Sequence, residues 1–300
     1  MFDTENPACS VESVPVSVND RTRFIYEAAC CGLRDFFVKN GYKKACVGVS
    51  GGIDSAVVAC LAVAALGAEN VRGLMMPSQF SSEGSVEDAK QLAENLGIEF
   101  HVVPITEAYR SIVDTLIPVI GGTDFDATEE NIQSRIRTLM LMALQNKNGY
   151  VLLNCSNKSE NALGICTLYG DTGGAFSVTG DLYKTEMYDL ARYINRKFGA
   201  PIPENILTKE PSSELRPNQK DSDMLPSYEV VDAILYRLIE DGQSREEIIN
   251  AGFDSDEVQK IYAMVMRNEK KRFQYPPVLR LSSSSFGHEY RMPLTHKYVK

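Results

Sequence analysis

Apolar and polar positions divide this chain into two regimes. Between Arg23 and Lys39, apolar Ile25, Ala29, Leu33, Phe36 and Phe37 recur at helical spacing, and Gly41 closes the run. Short apolar runs then alternate with longer ones of helical character. KACVGV at 44–49, VRGLMM at 71–76, EFHVVPI at 99–105 and YVLLN at 150–154 read as strands. SAVVACLAVAAL at 55–66, SVEDAKQLAENL at 85–96, AYRSIVDTLIPVI at 108–120 and EENIQSRIRTLMLMALQN at 129–146 read as helices. Strands so uniformly apolar need cover on both faces, which helices between parallel strands provide. The pattern predicts an α/β fold with an open parallel sheet flanked by helices.

The second regime begins after residue 155. Segments 156–183 and 207–227 are rich in Gly, Ser, Asn, Asp and Pro, with a helix, KTEMYDLARYINRKF at 184–198, between them. Two further helices are predicted near 226–240 and 254–271, giving a helical C-terminal region. The tail PPVLRLSSSSFGHEYRMPL mixes aromatics and Arg with a serine run and reads as an ordered loop or lid. Residues 1–19 are polar, Pro-containing and aperiodic, which predicts a flexible arm and leaves 20–300 as a single domain.

Composition narrows the classes. Hydrophobic content of 44% and charged content of 24% are ordinary for a soluble globular protein. The net charge of -9 argues against a general nucleic-acid or membrane-surface binder. The N-terminus has neither the basic start nor the apolar run of a signal peptide. No stretch approaches the roughly 20 apolar residues of a membrane span, so a cytoplasmic location is expected. Cysteines stand singly or adjacent at 9, 30, 31, 46, 60, 155 and 166 without a CxxC pair, which gives no disulfide framework or zinc site. With histidine only at 101, 288 and 296, a Cys–His or Ser–His mechanism has no supporting motif.

The chemistry concentrates at VGVSGGIDSAVV, residues 47–58. Two glycines followed by Asp and Ser at a strand–helix junction can be a plain turn, since Gly accepts positive φ and Asp or Ser caps a helix. The same residues can cradle phosphate on backbone N–H groups, at the carboxyl edge of a parallel sheet where ligands bind. The lysine of GxxxxGK[ST] is absent, and so is GxGxxG. An acidic residue in the lysine's place calls for a divalent cation between loop and polyphosphate.

SGGIDS at 50–55 resembles the SGGxDS motif of the ATP-pyrophosphatase family. MPSQFSSEGSVEDA at 76–89, EENIQSRIR at 129–137, NCSNKSE at 154–160, LYGDTGG at 168–174, YKTE at 183–186 and KEPSSEL at 209–215 follow in the order found in NAD synthetases. The likeness runs from about residue 22 to the C-terminus. NKSE, YGDTGG and FGHEYRMPL are similar to the synthetase domain of the glutamine-dependent type. The resemblance implies a Rossmann-like sheet of the adenine nucleotide alpha hydrolase type. It implies a C–N ligase that converts deamido-NAD, ATP and ammonia into NAD, AMP and pyrophosphate through a nicotinyl adenylate.

Residue roles follow from the same resemblance. Gly48, Val49, Ser50, Gly51, Gly52, Ile53, Asp54 and Ser55 would surround ATP, joined by Cys155, Lys184 and Ser212. Asp54 and Glu160 would hold Mg²⁺. Asn131, Arg135, Glu160, Asp171 and Arg280 would bind deamido-NAD, with Asp171 and Lys184 catalytic. A homodimer is implied, with segments 207–225 and 280–290 closing over ATP. Without the motif, Arg135 and Arg137 would read as a solvated helix face, and Lys184 as a surface partner of Glu186 or Asp181.

The sequence departs from the family at two positions. Cys155 stands where relatives carry Thr, and a thiol is a weak hydrogen-bonding group. Leu168 stands where ammonia-dependent synthetases often carry Lys. About twenty unpatterned residues precede the first helix, too few for an amidase domain. Either ammonia is the direct nitrogen donor of a free-standing synthetase, with a separate glutaminase as a possible partner, or the chain is a piece of a longer polypeptide; the first is the expectation carried forward. Another synthetase of the superfamily, such as a GMP synthetase, and a non-catalytic ATP-binding module are the alternative readings.

Overall fold

Helix α1 (Val18–Asn40) leads into β1 (Lys44–Gly48), α2 (Ile53–Leu66), β2 (Val71–Met75), α3 (Glu83–Leu96), β3 (Glu99–Val102), α4 (Thr106–Ile120), α5 (Ala127–Asn148) and β4 (Tyr150–Asn154). This is a computed structural model, and it describes residues 18–122, 124–287 and 289–297. Residues 1–17 of the expected arm lie outside the described residues, as does His288. After β4 come α6 (Lys158–Leu163), β5 (Phe176–Ser177), α7 (Lys184–Phe198), α8 (Glu204–Thr208), α9 (Tyr228–Ile239), α10 (Arg245–Asn250), α11 (Ser255–Arg267) and α12 (Glu269–Arg272).

The strands form one parallel sheet in the order β3-β2-β1-β4-β5. The chain builds outward from β1 to β3, then returns to place β4 on the other side of β1. A crevice therefore opens between β1 and β4 at their carboxyl ends. Alternate residues feed two cores. Ala45, Val47, Val71, Met75, Val151 and Leu153 join Leu33, Phe37, Val57, Leu61, Met187 and Ile194 on the face covered by α1, α2 and α7. Cys46, Leu74, Tyr150 and Leu152 join Tyr109, Ile132, Ile136 and Leu141 of α4 and α5 on the other.

The predicted α/β sheet is present, with local differences. β3 is shorter than 99–105 and mostly exposed, because it is the outermost strand and Pro104 has no N–H for a ladder. α5 begins ahead of Glu129, where Asp126 accepts from Thr128 N at 2.6 Å and Glu129 returns a bond to Asp126 N at 2.9 Å. α6, α8, α10 and β5 are too short to register as periodicity, and the helix predicted over 254–271 divides into α11 and α12 at Asn268. A third core, including Leu163, Tyr183, Val231, Leu235, Ile261, Val265 and Phe286, holds the C-terminal helices against α6.

The tail read as an ordered loop or lid is pinned. Ser177 N donates to Pro277 O at 2.9 Å and Leu279 N to Ser177 O at 3.0 Å. Asp181 Oδ2 accepts the backbone N–H groups of Leu281 and Ser282, each at 2.8 Å. Buried Lys158 reaches Asp181, Glu240, Ser282 Oγ and Ser284 O. Residues 277–284 thus belong to the framework, as the ordered-loop reading expects.

Candidate active site

A cavity of about 310 Å³ occupies the crevice above β1, β2 and β4. It gathers Gly48, Val49, Ser50, Gly52, Ile53, Asp54, Ser55, Cys155, Glu160, Asp171, Lys184 and Ser212, residues spread over more than 160 positions of sequence. Gly51, Asn131, Arg135 and Arg280 are not among its walls.

Two serines lock the glycine turn. Ser50 N donates to Ser55 Oγ at 3.1 Å, Ser55 Oγ donates to Gly52 O at 3.0 Å, and Gly52 N donates to Ser50 Oγ at 3.2 Å. α2 starts at once, and no side chain caps it at Gly52, so its first N–H groups are left for a ligand. Gly51 has φ +77° and lies so close to α3 that a Cβ would stand 2.2 Å from Ser85 O. Gly51→Ala must therefore displace the turn. A lowered melting temperature and loss of ATP binding by calorimetry are expected, and unchanged ATP affinity would contradict this account of the turn.

Three charges meet beside the turn. Lys184, at the start of α7, is buried with its Nζ 2.6 Å from Asp54 Oδ2 and 3.6 Å from Glu160 Oε1. Burial works against its charge, but the Asp54 and Glu160 carboxylates outweigh it and hold the ammonium protonated. One lysine cannot neutralise two carboxylates. Burial, and then the Asp54 charge, push the Glu160 carboxyl up to about 8. Among the described residues no group of three or more His, Cys, Asp or Glu could enclose a metal. Two acidic groups competing for one lysine instead suit a cation such as Mg²⁺, which would displace the Glu160 proton, take one or two carboxylates and complete its shell with phosphate and water.

Asp171 stands on another wall of the cavity. Its surroundings push the carboxyl up to about 6, with burial the leading cause, although Thr167 N donates to Oδ1 at 2.6 Å. Its face stays open to the cavity, and above that pH it is an ionised base. The Cys155 thiol is pushed up by burial and then by the Asp54 and Glu160 charges, so it remains a neutral wall. Ser156 Oγ points back to Asp171 O at 3.4 Å.

Residues given no role from the sequence complete the site. Asn157 Nδ2 donates to Asp54 Oδ1 at 2.9 Å. The Asn-x-x-Glu capping box at 157–160 was its available signal. Arg137, which alone would read as a solvated face, lines the cavity and donates Nε to Met76 O at 2.9 Å. Burial lowers its guanidinium to about 10. The segment 209–215 forms a further wall. Its Glu214 accepts from Ser82 Oγ and Ser85 Oγ at 2.8 Å each, and Lys209 lies 3.1 Å from Asp88. Ser212 Oγ is engaged by Gln219 O at 2.6 Å.

The remaining expected residues lie elsewhere. Asn131 Oδ1 accepts from Thr167 Oγ1 at 2.6 Å, and exposed Arg135 donates to Leu168 O at 3.1 Å. Both flank the 167–171 loop that carries Asp171. Arg280 sits in a separate groove with Arg21 and Phe24, and its guanidinium meets Glu289 at 3.3 Å.

Residues 25–275 match the family model described as NAD synthase. The glutamine-dependent NAD(+) synthetase of Aquifex aeolicus is 52% identical over 276 residues, which is 92% of this chain and 48% of that protein. The corresponding Thermotoga maritima protein is 47% identical over 93% of this chain and 48% of its own length. Among solved structures, glutamine-dependent NAD+ synthetase from Acinetobacter baumannii in complex with ADP has a TM-score of 0.63 and 41% identity, covering 95% of this chain and 51% of that one. NH3-dependent NAD synthetase from Campylobacter jejuni has a TM-score of 0.67 and 31% identity, covering 83% and 96%. The chain spans about half the length of the curated relatives it matches.

Proposed function

We propose, from the premise that this chain belongs to the NAD synthase family, that it amidates deamido-NAD to NAD at the expense of ATP. The observation that carries this reading is the meeting of Asp54, Glu160 and Lys184 beside a serine-locked glycine turn and an uncapped helix N-terminus. Phosphate binding alone needs the turn and the helix, not two half-buried carboxylates sharing a buried lysine.

In this reading ATP lies with its phosphates against Ser50, Gly51, Gly52 and Ser55, and Ser212 joins from the 209–215 wall. Asp54 and Glu160 would hold Mg²⁺, which would supply positive charge to the polyphosphate. A nicotinate carboxylate oxygen attacks the α-phosphorus, the bond to the β-phosphate oxygen breaks, and pyrophosphate leaves. Lys184 offsets charge on the leaving group. Deamido-NAD approaches along the 167–171 loop, where Asp171 faces the cavity and Asn131 and Arg135 stand outside it. The rising α5 surface there exposes Leu139, which fits a homodimer with the substrate near its interface. No described helix is long and apolar enough to cross a membrane, and the cytoplasm is the proposed location.

Ammonia is the proposed nucleophile for the acyl carbon. Ammonium has no lone pair and must lose a proton first. Asp171, with its carboxyl at about 6, is ionised at neutral pH and placed to take that proton. AMP then departs and the amide remains. The assay follows NAD and AMP with deamido-NAD, ATP and Mg²⁺, comparing ammonium with glutamine. Ammonium should support NAD formation, with a rate that rises with pH at fixed total ammonium, and glutamine should not replace it. Asp171→Asn should lower NAD about 10²-fold or more while AMP release by hydrolysis continues. NAD made from glutamine by the chain alone, with no ammonium present, would overturn the nitrogen assignment. AMP release driven by xanthosine monophosphate rather than deamido-NAD would overturn the substrate.

A further inference from the structure

We propose that Asn157 is a positioning residue, whose amide sets Asp54 and Glu160 in the mutual arrangement that takes a divalent cation with ATP. The inference rests on the functional reading above. Asn157 is fully buried. Its Nδ2 donates to Asp54 Oδ1 at 2.9 Å, its Oδ1 accepts from Glu160 N at 2.9 Å, and its backbone N–H donates to Glu160 Oε2 at 3.4 Å. A carboxylate only accepts and a backbone N–H only donates, so the amide can face one way alone. Lys184 answers from the opposite side, with Nζ toward Asp54 Oδ2 and Glu160 Oε1. Each carboxylate is thus held by the same two residues, one through each oxygen, although α2 and α6 are separated by a hundred positions of sequence.

The residue type is decided by the Asp54 contact, not by the helix. Ser or Thr would cap α6 as well as Asn does, but neither has a second donor for Asp54. Asp would cap too, and would set its own carboxylate oxygen against Asp54 where the amide nitrogen now stands. Outer contacts that orient metal ligands are worth about 10–100-fold in metal affinity.

The test uses Asn157→Ser and Asn157→Thr in the full chain, with Mn²⁺ as the probe. Free Mn²⁺ is measured by electron paramagnetic resonance in the presence of ATP, beside a thermal melt. Both variants should keep a melting transition near that of the wild type, because the cap survives. Both should bind Mn²⁺ about 10-fold more weakly, and the Mg²⁺ concentration for half-maximal AMP release should rise in step. KM for deamido-NAD should not change. Wild-type Mn²⁺ affinity in either variant overturns the proposal, as does a wild-type chain that takes up no Mn²⁺ with ATP. A wild-type chain that binds Mn²⁺ but makes no NAD overturns the functional reading instead, and the variants still decide the role of Asn157 by Mn²⁺ binding alone.

Discussion

Asp54→Asn is expected to lower turnover by about 10³-fold, the equivalent of several kcal/mol of transition-state charge stabilisation, while the fold survives. Asn matches the size of Asp but brings one acceptor where the site needs two. Asp54 Oδ1 now receives Asn157 Nδ2 and Oδ2 receives Lys184 Nζ, so an amide must set its own NH₂ against one of these donors. The larger loss is the negative charge that would hold the cation. Glu160→Gln removes the other carboxylate and should behave similarly. The measurement is AMP release across a magnesium titration, with a melt as the control for folding. Near wild-type turnover in either variant at any magnesium concentration would show that the carboxylate pair is not the cation site.

Lys158→Met destabilises the protein by about 3–5 kcal/mol, because it leaves buried carboxylates without their counter-charge. The Lys158 side chain is 0% exposed, and its partners Asp181 and Glu240 are 0% and 2% exposed. Met keeps the length of the stem, so the cavity term is small and the charge term dominates. The two carboxylates are not equally dependent on the lysine. Asp181 also receives Leu281 N, Ser282 N and Ser282 Oγ, whereas Glu240 has Ser283 Oγ and a long contact of 3.5 Å from Tyr183 OH. Neutralising Glu240 in the Lys158→Met background should therefore recover more stability than neutralising Asp181. Chemical denaturation of the single and double variants checks the order. A single variant within 1 kcal/mol of the wild type would mean that this cluster does not hold the 277–284 tail.

Much of the architecture was legible along the chain because its signals are local. Apolar runs such as YVLLN and the helical spacing of Ile25, Ala29 and Leu33 reflect burial that each segment needs wherever it packs. SGGIDS announced a turn through two glycines, and the positive φ of Gly51 with its close approach to Ser85 is the reason for one of them. The short helices α6, α8 and α10 and the two-residue β5 left no such trace. α6 and β5 are set by what surrounds them, and Asp126 lengthened α5 through a cap that periodicity does not see.

The motif residues divide in the same way. The family resemblance already grouped Asp54, Glu160 and Lys184 as expected partners in one chemistry, because each lies in a short motif that can be matched along the chain. Whether they meet is a matter of topology: the return of the chain to the far side of β1 is what brings 54, 157–160, 171 and 184 to one crevice. Arg135 and Arg137 show the limit most plainly. Two residues apart on α5, they look alike in sequence, but a helix turns about 100° per residue, so one guanidinium stays on the surface while the other enters the cavity. The choice between them, the donor that Asp54 finds in Asn157, and the burial of Lys158 under the tail depend on contacts between distant segments. Local pattern carries no information about such contacts, and folding alone settles them.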